Sequence, residues 1–284
     1  MGDLETKKPL RKIAEAFKEL EATINSEAQE VEVASFSHAC SLVSPLFGCL
    51  GIAFKFAELD YVAKVRDLVE ASKSIGTLQS LLERDINGNS VRKSGSHTRN
   101  LLRVRRGLDM VKILFEQILV TKGGSLKGPA SKAYELALAP HHGWTIRKAV
   151  AAGMYALPIR EQLFNTLNED ESSARLQMQS YVAASATVIM YVDKLFLTRG
   201  LEKKGAWRVG TQDQDFNVTI VAIIGTEFGK KQMDRIQAGT EISKSESFSS
   251  RQAYQKRIIY SENKLCVVDS SINQSLLKGS CRIR

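Results

Sequence analysis

The stretch Ser96-His-Thr-Arg-Asn-Leu-Leu-Arg-Val-Arg-Arg-Gly-Leu-Asp-Met-Val-Lys-Ile-Leu-Phe-Glu-Gln-Ile-Leu119 decides the fold class. Leu101, Leu108, Val111, Leu114, Phe115 and Leu119 recur at helical spacing, so it predicts one long amphipathic helix. Gly123-Gly124 ends it. Beside the apolar stripe runs a basic one: Arg99, Arg103 and Arg106 at i, i+4 and i+7, with Arg92, Lys93 and Arg105 adding to the local charge. Like charges at this spacing mildly destabilise a helix on their own. A bound anion turns that cost into a gain, because arginine offers forked donors to phosphate oxygens. The same spacing also fits a plain solvated face. A nucleic-acid stripe is a third reading, weakened because no aromatic residues interleave the arginines.

The neighbouring sequence repeats the helical pattern. Ile13, Phe17, Leu20 and Ile24 mark a first helix, a second covers about 34–48, and a third about 50–71 carries Phe54, Leu59, Val62, Val65 and Val69. A fourth, Ile75 to Leu82, is expected to stop at the turn signal Asp85-Ile-Asn-Gly-Asn. After the long helix come stretches near 128–138, 141–156, 159–168 and 172–197, with Pro140 and Pro158 suited to helix starts and Asp170 and Glu171 to a helix N-terminus. Few strand signals precede residue 200, so this part is expected to be all-α. Beyond Gly200 the texture changes to a β-branched run, Phe216 to Gly225, a Ser- and Lys-rich segment, and a short run at Leu265-Cys-Val-Val. Two isolated strands make no stable sheet, so 201–284 reads as an extension that is disordered or weakly structured.

Composition bounds the function. The 284 residues hold 43% hydrophobic and 25% charged residues, ordinary for a globular chain and too apolar for general disorder. Five prolines and four cysteines exclude collagen-like and disulfide-scaffold classes. Cys40, Cys49, Cys266 and Cys281 show neither CxxC spacing nor histidine partners at zinc-like intervals, so reduced thiols and no metal are expected. The N-terminus shows no secretory pattern, Gly2 and Thr6 fit a myristoylation signal only loosely, and no apolar run approaches the roughly 18 residues that span a bilayer. The net charge of +9 suggests an anionic partner. However, residues 201–284 hold 14 basic against 9 acidic residues, so more than half of the excess lies in the extension and argues little for nucleic acid.

Two further polar groups stand out. Asp60 and Lys64 lie at i and i+4 on the third helix, a spacing that equally describes a surface ion pair worth a few tenths of a kcal/mol. Ala139-Pro-His-His-Gly-Trp holds two of the four histidines and one of the two tryptophans. Trp144 fits either a core or a membrane interface, where an amphipathic ring is favoured. No GxSxG, HExxH, P-loop or dinucleotide fingerprint is present, and His142 with Asp60 and a distant Cys or Ser makes no catalytic pattern, so no enzyme is expected.

Three separated motifs in order then carry a resemblance: Phe54-Lys-Phe-Ala-Glu-Leu-Asp-Tyr-Val-Ala-Lys-Val, Val91 through Val111, and Ala139-Pro-His-His-Gly-Trp, continuing through Met154-Tyr-Ala-Leu-Pro and Met178-Gln-Ser-Tyr-Val. Over residues 8–200 the chain resembles the glycolipid transfer protein superfamily, in its plant branch that binds ceramide-1-phosphate and restrains programmed cell death. The resemblance implies an all-α, two-layer helical sandwich enclosing an apolar lipid pocket. It divides the chain into a lipid-binding domain, 1–200, and an extension, 201–284, for which relatives have no counterpart and which could be genuine or a product of splicing or gene prediction. It implies that Asp60 accepts the ceramide amide N–H, that His142 donates to the amide carbonyl, and that Lys64, Arg99 and Arg103 hold the phosphate. Sugar-binding relatives carry Asn and Trp at the positions of Lys64 and Arg99, so phosphate is expected in place of sugar.

The implied activity is intermembrane transfer of ceramide-1-phosphate by a cytoplasmic protein that is peripheral at membranes. It needs no cofactor and makes transient membrane contact, for which Trp144 is a candidate. A chain of roughly 16 carbons costs on the order of 12 kcal/mol to expose to water, so a carrier must supply an apolar sleeve. The rival reading is a lipid-occupancy sensor acting through protein partners, since transfer and sensing share one pocket.

Overall fold

The structure is a computed structural model, and it describes residues 8–27, 29–51, 54–201, 258–261 and 264–267. Its helices are α1 (Pro9–Ile24), α2 (Val33–Cys49), α3 (Lys55–Ala71), α4 (Leu78–Asn87), α5 (His97–Val120), α6 (Lys127–Ala137), α7 (Trp144–Gly153), α8 (Arg160–Thr166) and α9 (Glu171–Thr198). Short 3-10 turns at Ala139–His141 and Met154–Ala156 flank α7. The expected single helix over 141–156 is therefore broken at both ends. In the first turn Pro140 sits near the start, and His142 leaves it in extended conformation.

The helix pairings close a ring: α2 packs on α3, α3 on α5, α5 on α9, α9 on α1 and α1 back on α2, with α6 against the free side of α5. Bulky rings fill the centre. Tyr181 of α9 takes Phe17 edge-on at 4.9 Å and Phe115 at 5.5 Å, geometries that favour aromatic pairs. Its hydroxyl donates to the Leu108 carbonyl, so no polar atom is stranded there. α2 runs unbroken through Pro45, which supplies no N–H to the helix ladder.

Helix ends follow local chemistry. Thr77 caps α4 and Asp170 caps α9, each accepting a backbone N–H three residues on. The turn expected from Asp85 begins later: α4 continues to Asn87, and Asp85 is a buried helical residue. It accepts from the Ser96 hydroxyl and the Thr98 N–H, both at 2.8 Å, and from Ser90 at 2.9 Å. Burial would raise its pKa; these donors outweigh it and hold the carboxyl below its usual range. Asp85 thereby anchors the first turn of α5, the helix on which the basic residues sit.

Contrary to the expectation that nothing reaches membrane-spanning length, α9 is long and apolar enough by length and composition alone. Half of its most apolar window is buried against the rest of the fold, as for a core helix.

Residues 258–267 lie in a separate unit, Lys231–Arg284. Their described part is an antiparallel pair, β1 (Ile258–Ser261) and β2 (Lys264–Val267), with Ile259 opposite Cys266. The expected strand at Leu265 is thus present. The run Phe216 to Gly225, the Gly2–Thr6 pattern and the remaining extension lie outside the described residues.

Candidate functional site

The polar candidates gather along the seam between α3 and α5. The two helices run antiparallel. At one end Tyr61 lies on Gly107, where an added Cβ would sit 2.7 Å from the ring, so only glycine permits this approach. At the other end the Asp67 carboxylate meets His97 Nδ1 at 2.8 Å. Lys64 of α3 and Arg99 and Arg103 of α5 lie between these two contacts along the sequence. Ser96, whose oxygen accepts the Arg99 N–H, fixes where α5 begins.

Asp60 and Lys64 form the i,i+4 pair at 3.1 Å, both half-buried. Arg106 follows one turn beyond Arg103. Burial and the charges of Arg103 and Arg105 pull its pKa down to about 10. Arg106 therefore stays cationic at neutral pH but is held there against its neighbours' charge, a cost that a nearby anion would relieve. Arg105 points elsewhere, pairing with Asp109 and tying α5 to α9 through Asp193.

His142 joins this cluster from the far side of the sequence. Burial, His141, Arg103 and Arg106 press its pKa down to about 4 against the opposing pull of Asp60. It is therefore neutral under physiological conditions, able to donate from one ring nitrogen and accept at the other. His141 is pushed to about 4 as well, by partial burial and by Arg106 and Arg105. Its neighbour Trp144 is 68% exposed, which excludes the core reading of that ring. Lys148 Nζ lies 5.9 Å from its centroid. Tyr155 is equally exposed and carries Lys127 Nζ 3.4 Å above its ring. Nothing in its periodicity marked Tyr155 as a surface aromatic.

Below the polar seam lies an apolar one, lined by Leu46, Phe47 and Leu50 of α2 and its cap, Val111, Leu114 and Phe115 of α5, and Leu163 and Leu167 at α8. Its free space is about 10 Å³, too little for an acyl chain. An apolar void of chain size would forfeit contacts on every wall, and here the lining side chains fill the space themselves.

Among the described residues no group of three or more His, Cys, Asp or Glu is placed to hold a metal. Burial raises the thiol pKa of Cys40, and burial together with Glu58 raises that of Cys49, so neither is an activated thiolate.

Comparison with known proteins places the chain in a family. The glycolipid transfer protein (GLTP) family model matches residues 31–169. Accelerated cell death 11 of Arabidopsis thaliana is 64% identical over 202 residues, covering 71% of this chain and 98% of that protein. The chain belongs to the glycolipid transfer protein family. A solved structure of the D60N mutant of Arabidopsis ACD11, complexed with C12 ceramide-1-phosphate, superposes with a TM-score of 0.68 at 63% identity over 70% of this chain and 98% of that one. The zebrafish (Danio rerio) ceramide-1-phosphate transfer protein is 30% identical, covering 56% of this chain and 79% of its own length. Family membership makes the all-α two-layer sandwich the expected architecture and lipid transfer the family's activity.

Proposed function

We propose that this chain is a non-enzymatic carrier that moves ceramide-1-phosphate between membranes. The observation that carries the reading is the meeting of Asp60, Lys64 and the α5 arginines with a neutral His142 beside an apolar seam. Asp60 accepts the lipid's amide N–H, and His142 donates to the amide carbonyl. Lys64, Arg99 and Arg103 hold the phosphate, whose charge of about −1.5 to −2 three cations offset. The acyl and sphingoid chains enter between α2, α5 and α8, where about 0.8 kcal/mol per buried CH₂ favours parting the helices. Binding and release suffice, with no bond made or broken.

The residues that do this work form a lipid-binding domain over 1–200, followed by an extension over 201–284. The high identity to ACD11 across nearly all of that protein's length supports the substrate class and links the chain to programmed cell death. Exposed Trp144 supports transient contact with a membrane surface by a cytoplasmic protein. The same pocket suits a lipid sensor that signals to protein partners, and the cell-death name of the Arabidopsis relative favours keeping that second role. Capture of partners by lipid-loaded but not lipid-free protein is its test.

The decisive experiment is vesicle-to-vesicle transfer with Asp60→Val. Transfer of ceramide-1-phosphate should fall to background while helical circular dichroism is unchanged. Undiminished transfer would refute the assigned role, and robust galactosylceramide transfer by the native protein would refute the headgroup argument.

A further inference from the structure

We infer that Tyr134 is a positioning residue that sets the tautomer of His142, holding its single proton on Nε2 so that the ring presents a donor. The inference rests on the proposed contact between His142 and the lipid amide carbonyl, and it adds the group that keeps that contact available.

The geometry begins in the backbone. α6 ends at Ala137, the Leu138 N–H donates to the Tyr134 carbonyl, and the 3-10 turn at Ala139–His141 carries the chain back over the helix end. His142 thereby returns to Tyr134, eight residues earlier. The phenol oxygen lies 3.0 Å from His142 Nδ1, with the two rings tilted at 42° and their centroids 5.6 Å apart. The tyrosine is 8% exposed. Among the described residues its hydroxyl has no hydrogen-bond partner besides this nitrogen.

A neutral imidazole carries one proton, and the partner at one nitrogen decides which nitrogen keeps it. Both groups are neutral across the physiological range: burial lifts the Tyr134 phenol to about 12, and His142 titrates near 4. Two arrangements then compete. If Nδ1 held the proton, it would donate to the phenol oxygen, and the part-buried phenol proton would have no acceptor among the described residues. If the phenol donates to Nδ1, that contact uses the phenol proton, and the remaining proton must sit on Nε2, toward the proposed lipid carbonyl. With that carbonyl as acceptor every donor is used in the second arrangement, whereas the first leaves the phenol proton over and turns a lone pair on the carbonyl. Without the hydroxyl, the same ring could present a bare acceptor to a carbonyl, which repels it.

The test is ¹⁵N NMR of histidine-labelled protein, with His142→Asn used to assign the signal, together with ceramide-1-phosphate affinity of Tyr134→Phe. The native protein should show a bare, hydrogen-bonded Nδ1 and a protonated Nε2 at pH 7. Tyr134→Phe should show a mixture of tautomers and about 3- to 10-fold weaker binding, the worth of one net hydrogen bond. A protonated Nδ1 in the native protein overturns the inference. So does native affinity in a Tyr134→Phe variant whose circular dichroism matches the native protein. The native spectrum needs no substitution, so it decides the matter even where the variant folds poorly. If His142→Asn binds the lipid as well as the native protein does, the amide contact itself fails, a result distinguishable from failure of the tyrosine's role.

Discussion

The two halves of α5 differ in what lies beside their buried residues. Its first half carries Arg99, Arg103 and Arg106 along the seam with α3; its second half buries Val111, Leu114 and Phe115 in the apolar seam with α2 and α8. One continuous helix therefore joins a basic edge to an apolar seam, the proposed places of a charged headgroup and a hydrocarbon chain. The difference teaches that stability and recognition are separable along a single element. Both halves bury core residues, Leu101, Val104 and Leu108 in the first as Val111, Leu114 and Phe115 in the second; the arginines beside them add a small cost of repulsion, which the proposed phosphate would relieve.

The largest expected effect attacks the apolar half. Leu114→Ala should destabilise the protein by about 2–5 kcal/mol in urea unfolding. Should it cost under 1 kcal/mol, the closed seam is not part of the core. The basic half should answer in the other currency. Arg99→Glu with Arg103→Glu should weaken ceramide-1-phosphate binding by about 100-fold or more, since each charge-assisted hydrogen bond is worth roughly 1.5–3 kcal/mol, with little change in the unfolding midpoint. Unfolding in place of lost binding would erase the contrast between the halves.

A subtler test uses pH. His142 titrates at about 4 in the folded state against its ordinary 6.5, so below 6.5 the unfolded chain binds a proton that the folded one refuses. Stability is complete above 6.5 and falls as pH drops from 6.5 toward 4. Asp85, held below its ordinary 3.8, loses its contribution only under more acid conditions. Urea midpoints at pH 7, 5.5 and 4.5 should decline in the native protein, and the decline should be shallower in His142→Asn, the remainder coming from His141, which is also held at about 4. The smallest signal comes from Trp144: its fluorescence should shift blue on anionic vesicles, and an unchanged spectrum would remove it from the membrane face.

Much of this was legible in the sequence because helical periodicity is a local property. Ile13, Phe17, Leu20, Leu101, Leu108 and Leu114 announced their helices and are buried as their spacing required. Asp85 misled, since Asp before Asn-Gly reads as a turn. Its actual work, capping the next helix, depends on Ser96 and Thr98 across a loop. Spacing could not say whether Asp60 and Lys64 were a routine surface pair or part of a cluster, because the answer lay in α5 and in a histidine some eighty residues on. The resemblance supplied their roles; the structure supplied their proximity. Tyr134 escaped notice because an aromatic on a helix face carries no local mark of the histidine that folds back to meet it. Trp144 was equally open, since exposure is decided by what fails to pack against a residue.

The closely packed apolar seam has a consequence for selectivity. A hydrocarbon chain can enter it only by parting side chains that already touch one another. Had Leu46, Phe47, Leu114 and Leu163 surrounded a standing cavity, the vacant form would offer other hydrophobic molecules a ready berth, or its neighbours a patch to stick to. Because those side chains fill the space between α2, α5 and α8 themselves, this seam offers small apolar molecules no standing berth.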